Sequence, residues 1–124
     1  FGEKQAAAAA IAELASQDWS LEQLVEQGQA VYTTFCMACH QQNGQGLPPA
    51  FPALAGSAIA TGPIENHIAI VLNGKPGTAM AAYGALLNPV DLAAVITYER
   101  NAFGNSTGDM VTPVEILEIR AAAE

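Results

Sequence analysis

Cys36-Met37-Ala38-Cys39-His40 is the stretch of this chain whose residue types and spacing carry a definite chemistry: two thiols three positions apart, with an imidazole directly after the second. On a helical segment two residues at that spacing share one face, with Cβ atoms roughly 5–6 Å apart. Both sulfurs could then bond two vinyl groups along one edge of a porphyrin. His40 comes four residues after Cys36, so the thioether bonds would bring its imidazole under the iron. C-x-x-C-H is accordingly read as a site of covalent haem c attachment. A thioredoxin-like dithiol also reads C-x-x-C, but it belongs beside a βαβ pattern, and no strand–helix alternation runs through this sequence. A zinc site would want a second ligand pair, whereas the chain holds two Cys and one other His. A structural disulfide between Cys36 and Cys39 is the plain alternative.

A sixth iron ligand has four candidates, Met37, Met80, Met110 and His67. Met37 lies between the two cysteines, and its short tether points it away from an iron they position. Met110 falls in the polar run Asn105-Ser106-Thr107-Gly108-Asp109-Met110, beyond the last strongly helical segment. His67 belongs to the helical pattern Ile64, His67, Ile68, Val71, Leu72 and is expected on the helix surface. Met80 lies forty residues after His40, in a loop running from Gly74 to Gly84 where Gly and Pro let the backbone fold against the far face of a ring. Met80 is therefore the expected ligand. His–Met ligation raises the reduction potential relative to bis-His ligation and fills the coordination sphere, which favours electron transfer over bond-making chemistry.

The elements that must position these residues are helical. Ser20-Leu21-Glu22-Gln23 has the form of a capping box, and Leu21, Leu24, Val25, Gly28, Val31, Tyr32 and Phe35 make one apolar stripe leading into the cysteine motif. Trp19 is placed to staple against Leu24. Asn43-Gly44-Gln45-Gly46-Leu47-Pro48-Pro49 cannot continue a helix and gives a loop. A short helix follows at about Ile64–Leu72. The last core helix starts at Asn88 as N-cap with Pro89 first, running to about Asn101. The domain plan is an alanine-rich tether over 1–19, a core over 20–103, and a C-terminal extension over 104–124 ending in a helical piece at Val114–Ala123. There are no internal repeats.

At 124 residues the chain suits one domain, and a haem would supply much of the apolar core that so short a sequence lacks. No apolar run approaches the roughly eighteen residues of a membrane span. The chain opens at Phe1-Gly2-Glu3-Lys4 with neither an initiator Met nor a secretory pattern, and reads as a processed form or a piece of something longer. The formal charge is −8, yet no charged residue occurs between Glu26 and Glu65, and Lys75 alone lies between Glu65 and Asp91. The acidic surplus is expected to serve solubility on the lead, the last helix and the tail. Four Lys plus Arg cannot make a basic ring, which argues against nucleic acid or acidic membrane surfaces as partners.

The order Gly28-x-x-x-Tyr32-x-x-x-Cys36-x-x-Cys39-His40, then a Gly/Pro loop, Met80, and an amphipathic helix carrying Tyr98 resembles class I cytochrome c over residues 20–103. The resemblance implies an all-α fold wrapped around one haem c held by two thioethers, with Gly28 and Tyr98 where the first and last helices cross. It implies that a proline carbonyl, from Pro48 or Pro49, orients His40, and that the domain is an electron carrier rather than an enzyme. Tyr83 and Lys75, flanking the Met loop, are candidates to approach a haem propionate. Within the family, Gly46–Leu54, Leu72–Met80 and Tyr98–Asn105 resemble the cytochrome c domain fused to subunit II of bacterial caa3-type cytochrome c oxidases. That closer likeness implies a copper-binding oxidase domain as acceptor, a quinol-cytochrome c reductase or another cytochrome c as donor, and a place on the periplasmic side of the cytoplasmic membrane. A free-standing periplasmic cytochrome c is the neighbouring reading. A haem peroxidase or gas sensor would need an open iron position.

Overall fold

The computed structural model describes residues 9, 13, 17–46, 53–75, 80, 82–84 and 86–123, and all regular structure among them is α-helical. The helices are α1 (Leu21–Phe35), α2 (Met37–His40), α3 (Ala58–Thr61), α4 (Ile64–Asn73), α5 (Pro89–Asn101) and α6 (Pro113–Ala123). Most of the expected tether, and both Pro48 and Pro49, lie outside the described residues. No described helix is long and apolar enough to cross a membrane.

Local chemistry starts the two main helices where the sequence indicates. At α1 the Gln23 N–H donates to Ser20 Oγ (3.1 Å) and the Ser20 N–H donates to Gln23 Oε1 (2.9 Å), so the capping box is complete. Trp19 packs against the core cluster that contains Leu24. At α5 the Asp91 N–H donates to Asn88 Oδ1 (2.8 Å), with Pro89 as the first helical residue.

α1 and α5 cross at Gly28. A Cβ there would fall on the Ala94 carbonyl oxygen and come within 2.6 Å of Tyr98 Cβ, so only a hydrogen at that position lets the backbones meet. Beside the crossing, Gln27 Nε2 donates to Asp91 Oδ1 across the helix pair (2.9 Å). Leu24, Val31 and Tyr32 of α1 join Leu92, Ala93, Ala94, Val95 and Ile96 of α5 in the buried core, with Ile68, Val71 and Leu72 of α4. The α1 stripe is followed except at its end, where Phe35 is 44% exposed.

Residues after Phe103 are built into the core rather than appended to it. Val111 and Ile116 are fully buried, and α6 packs on α5. The buried Thr97 hydroxyl accepts from the Val111 N–H at 2.9 Å. Asn105 donates to the carbonyls of Leu54 and Glu99 and accepts from the Gly56 N–H, joining three segments. Arg100, nearly fully buried, donates through Nε to Asp109 Oδ1 (2.7 Å) and through Nη2 to the Gly62 carbonyl (2.7 Å). The Arg100 hydrogen bond, ahead of a second from Thr107, holds the Asp109 carboxyl below its ordinary range.

Two expectations about polar residues are corrected here. His67 is 2% exposed rather than on the helix surface, and its Nε2 lies 2.8 Å from Glu99 Oε1. Glu99, counted with the solubilising charges of the last helix, is 5% exposed. Both positions continue apolar stripes, Ile64–His67–Ile68–Val71 and Leu92–Val95–Ile96–Glu99, and the stripe spacing decided their burial over their polarity.

Candidate functional site

The cysteine motif sits where α1 gives way to α2. The Cys36 N–H still donates to the Tyr32 carbonyl (2.9 Å), while the His40 N–H donates to the Cys36 carbonyl (3.0 Å), so Cys36, Cys39 and His40 share one helical turn. Both cysteines are free thiols here and half-buried. Burial pushes the Cys36 thiol up to about 12, with the field of Glu99 and then of Cys39 adding to it. A thiol held protonated at neutral pH is a poor nucleophile, contrary to what a dithiol redox pair requires.

Past His40 the chain reverses at Gln41, a non-glycine residue with φ of 68°. Such a conformation costs energy and needs the surroundings to hold it. Tyr32 does so, its hydroxyl donating to the Gln41 carbonyl at 2.6 Å. The next turn is fixed by the Gly46 N–H, which donates to the His40 carbonyl (2.9 Å), and by Gly44, which presses on the ring of Phe103. Phe103, Tyr32 and Tyr98 form one aromatic cluster with centroids 5.0–5.5 Å apart. The hinge after His40 is thus clamped by Tyr32 of α1 and by Phe103, just past the end of α5. Tyr32→Phe keeps the ring packing but strands a carbonyl, and the expected loss is about 1–2 kcal/mol of stability, read from the denaturant midpoint.

Met80 is half-buried, and its carbonyl accepts from the Lys75 N–H at 3.2 Å. The loop leaving Met80 is pinned to the end of α4, with the Tyr83 N–H donating to Val71 (2.9 Å) and the Gly84 N–H to Leu72 (3.1 Å). Tyr83 also reaches the cysteine turn, because its hydroxyl donates to the Phe35 carbonyl (3.3 Å) and its ring meets Phe35 edge-on at 6.4 Å. Lys75 is exposed at the other end of the loop. α4 and Tyr83 therefore join the methionine loop to the cysteine turn. Pro48 and Pro49, the candidates to hold His40, fall outside the described residues.

Two free thiols and an imidazole in one turn, an apolar core beside them, and a thioether on a pinned loop fit a c-type haem in donor chemistry. Sequence reasoning missed the Tyr32 hydroxyl, the His67–Glu99 pair and Arg100. The stripe spacing carried a signal for the pair, whereas nothing local marked the partner of Tyr32.

Comparison with known proteins points the same way. Residues 23–98 match the family model described as cytochrome C oxidase, cbb3-type, subunit III. The chain is 35% identical over 85 residues to cytochrome c-552 of Thermus thermophilus, covering 57% of this chain and 64% of that protein. It is 31% identical over 104 residues to the gluconate 2-dehydrogenase cytochrome c subunit of Pantoea cypripedii, covering 75% of this chain and 24% of that protein. With the alcohol dehydrogenase (quinone) cytochrome c subunit of Gluconacetobacter polyoxogenes it shares 28% identity over 105 residues, again 75% of this chain and 22% of the relative. The chain thus spans about a quarter or less of the two dehydrogenase subunits. With a matching family model over most of its core helices, the chain belongs to the family described as cytochrome C oxidase, cbb3-type, subunit III, and is an all-α, electron-carrying cytochrome c domain.

Proposed function

We propose that this domain carries one haem c, attached through Cys36 and Cys39 and ligated by His40 and Met80, and that it delivers electrons to the copper centre of a caa3-type oxidase as part of subunit II. When bound, the haem supplies a one-electron couple. The chain's residues hold His40 through the clamped Gln41 hinge, present Met80 from the α4-pinned loop, and close the iron to outside ligands. The observation that carries the oxidase reading is the likeness of Gly46–Leu54, Leu72–Met80 and Tyr98–Asn105 to that subunit's fused cytochrome. The electron donor is then a quinol-cytochrome c reductase or another cytochrome c, on the periplasmic side of the bacterial cytoplasmic membrane. A free-standing carrier is the second reading, favoured by the identity with cytochrome c-552.

Reading the natural gene upstream of Phe1 separates the two. A copper-binding module preceded by two membrane spans is the expected finding. A secretion leader directly before this domain, or linkage to a dehydrogenase, overturns the oxidase assignment. Slow or absent carbon monoxide binding by the reduced domain at neutral pH is expected, whereas ready binding would favour a haem enzyme or gas sensor.

The surface beside the cysteine turn bears on how partners dock. Phe35, which ends α1 just before Cys36, is 44% exposed, while formal charge is sparse between Glu26 and Asp91. Contact with the acceptor then depends on short-range packing more than on steering. The rate of electron transfer from the excised domain to its oxidase core is expected to change less than about threefold between low and physiological salt. A fall of about tenfold or more would make the acidic lead or tail the contact surface.

A further inference from the structure

We propose that His67 and Glu99 form a buried proton site coupled to the redox state of the haem, which gives up one proton when the domain gives up its electron. The inference rests on the haem c reading above. Oxidation sends one electron from the iron to the acceptor and one proton from the pair to water; reduction by the donor returns both. The only bond broken and remade is the N–H or O–H that carries the proton.

Three observations support a site rather than a packing accident. First, two ionisable side chains meet at 2.8 Å with exposures of 2% and 6%, so water does not stabilise either charge. Second, His67 Nδ1 is buried and has no hydrogen-bond partner among the described residues. Neither the bare nitrogen nor its protonated form is locked by a second bond, so a proton can arrive and leave without breaking a network. Third, Glu99 adjoins Tyr98, whose ring packs on Tyr32 at 5.5 Å, and Tyr32 in turn bonds the Gln41 carbonyl next to His40, so the pair stands beside the cysteine turn. After burial, the Glu99 charge is what raises Cys36, Tyr32 and Tyr98. A carboxylate that acts on the Cys36 sulfur also acts on a haem bonded to that sulfur, and linkage makes the effect mutual.

The direction follows from charge. Loss of an electron leaves one more positive charge at the iron, which disfavours the extra proton on the pair. The other groups set around Glu99 do not substitute for it. Tyr32 of α1, Tyr83 of the methionine loop and Tyr98 of α5 have hydroxyls raised by burial, and burial likewise raises Cys36, whose sulfur the haem takes. Arg100, adjacent on α5, is already engaged by Asp109. On the remaining packed elements, Glu65 of α4 and Glu115 and Glu118 of α6 are exposed, while Arg120 of α6 donates to the Leu87 carbonyl.

Potentiometry of the holo-domain against pH tests this, together with ¹⁵N spectra of histidine-labelled wild type in both redox states. The chain has two histidines, and with His40 on the iron the second ring reports His67 directly. Wild type should show a redox equilibrium constant that changes by up to about tenfold per pH unit over part of the pH range in which the domain stays folded. The His67→Gln/Glu99→Gln double variant should hold that constant within about twofold over the same range. The His67 ring should lose its extra proton at lower pH in the oxidised than in the reduced domain. An unchanged slope in the double variant, or a ring whose protonation is identical in both redox states, overturns the proposal. The wild-type spectra decide even if the variant does not fold. A pyridine haemochrome spectrum of wild type is read first, and absence of the two-thioether signature would defeat the haem reading itself rather than the proton site.

Discussion

Gly28→Val is expected to lower the stability of the holo-domain by about 3 kcal/mol, the upper end of ordinary overpacking. The obstacle at Gly28 is the Ala94 carbonyl, part of the α5 backbone, together with Tyr98 Cβ, which cannot swing away like the tip of a side chain. Relief requires α1 and α5 to separate, and that separation also loosens the Gln27–Asp91 bridge and the Tyr32–Tyr98 contact. Against a typical total of roughly 5–15 kcal/mol, such a loss is large. Denaturant melting followed by the haem band and by far-UV circular dichroism measures it. An unchanged midpoint would mean that the helices do not depend on this crossing.

Met80→Ala is expected to leave the haem attached, open the iron to carbon monoxide or imidazole, and lower the reduction potential, because a thioether ligand favours the reduced state. The end of the loop should stay in place, since Tyr83 and Gly84 donate to the α4 carbonyls and the bond from the Lys75 N–H uses the Met80 backbone carbonyl, which the substitution keeps. Loss of the thioether-to-ferric-iron absorption band, with the domain still folded, is the outcome that fits. Retention of that band would transfer the ligand role to another methionine. Met110→Ala serves as control and should alter neither band nor potential, as Met110 packs against the core at the tail.

Much of this architecture is legible in the sequence because it is local. The Ser20 box, the Asn88–Pro89 start and the C-x-x-C-H turn each need only neighbouring residues, and each forms where the pattern places it. The Gly28–Tyr98 crossing is non-local, and only the family resemblance revealed it. His67 and Glu99 are polar residues on apolar stripes, and their place on the stripe outweighs their polarity. Arg100, Asn105 and Thr97 bond to segments distant in sequence, and single-sequence periodicity holds no record of such partners. The polar residues of the tail spend their hydrogen bonds inward, as Asn105 does with Leu54, Gly56 and Glu99, and nothing in their own neighbourhood marks that.

The burial of Cys36 has a consequence for the order of events during biogenesis. Once α1 rests on α5, the thiol lies in a medium that keeps it protonated, and vinyl chemistry at sulfur is then slow. The helix on which α1 packs is supplied by residues far downstream, with the bonded Gln27 and Asp91 separated by 64 positions. Pairings of such high sequence separation form late. A newly made chain therefore passes through an interval in which both cysteines are reachable and the C-terminal half has yet to arrive. Thioether formation with a haem, as proposed above, would belong to that interval, ahead of the closure of the fold by α5 and α6.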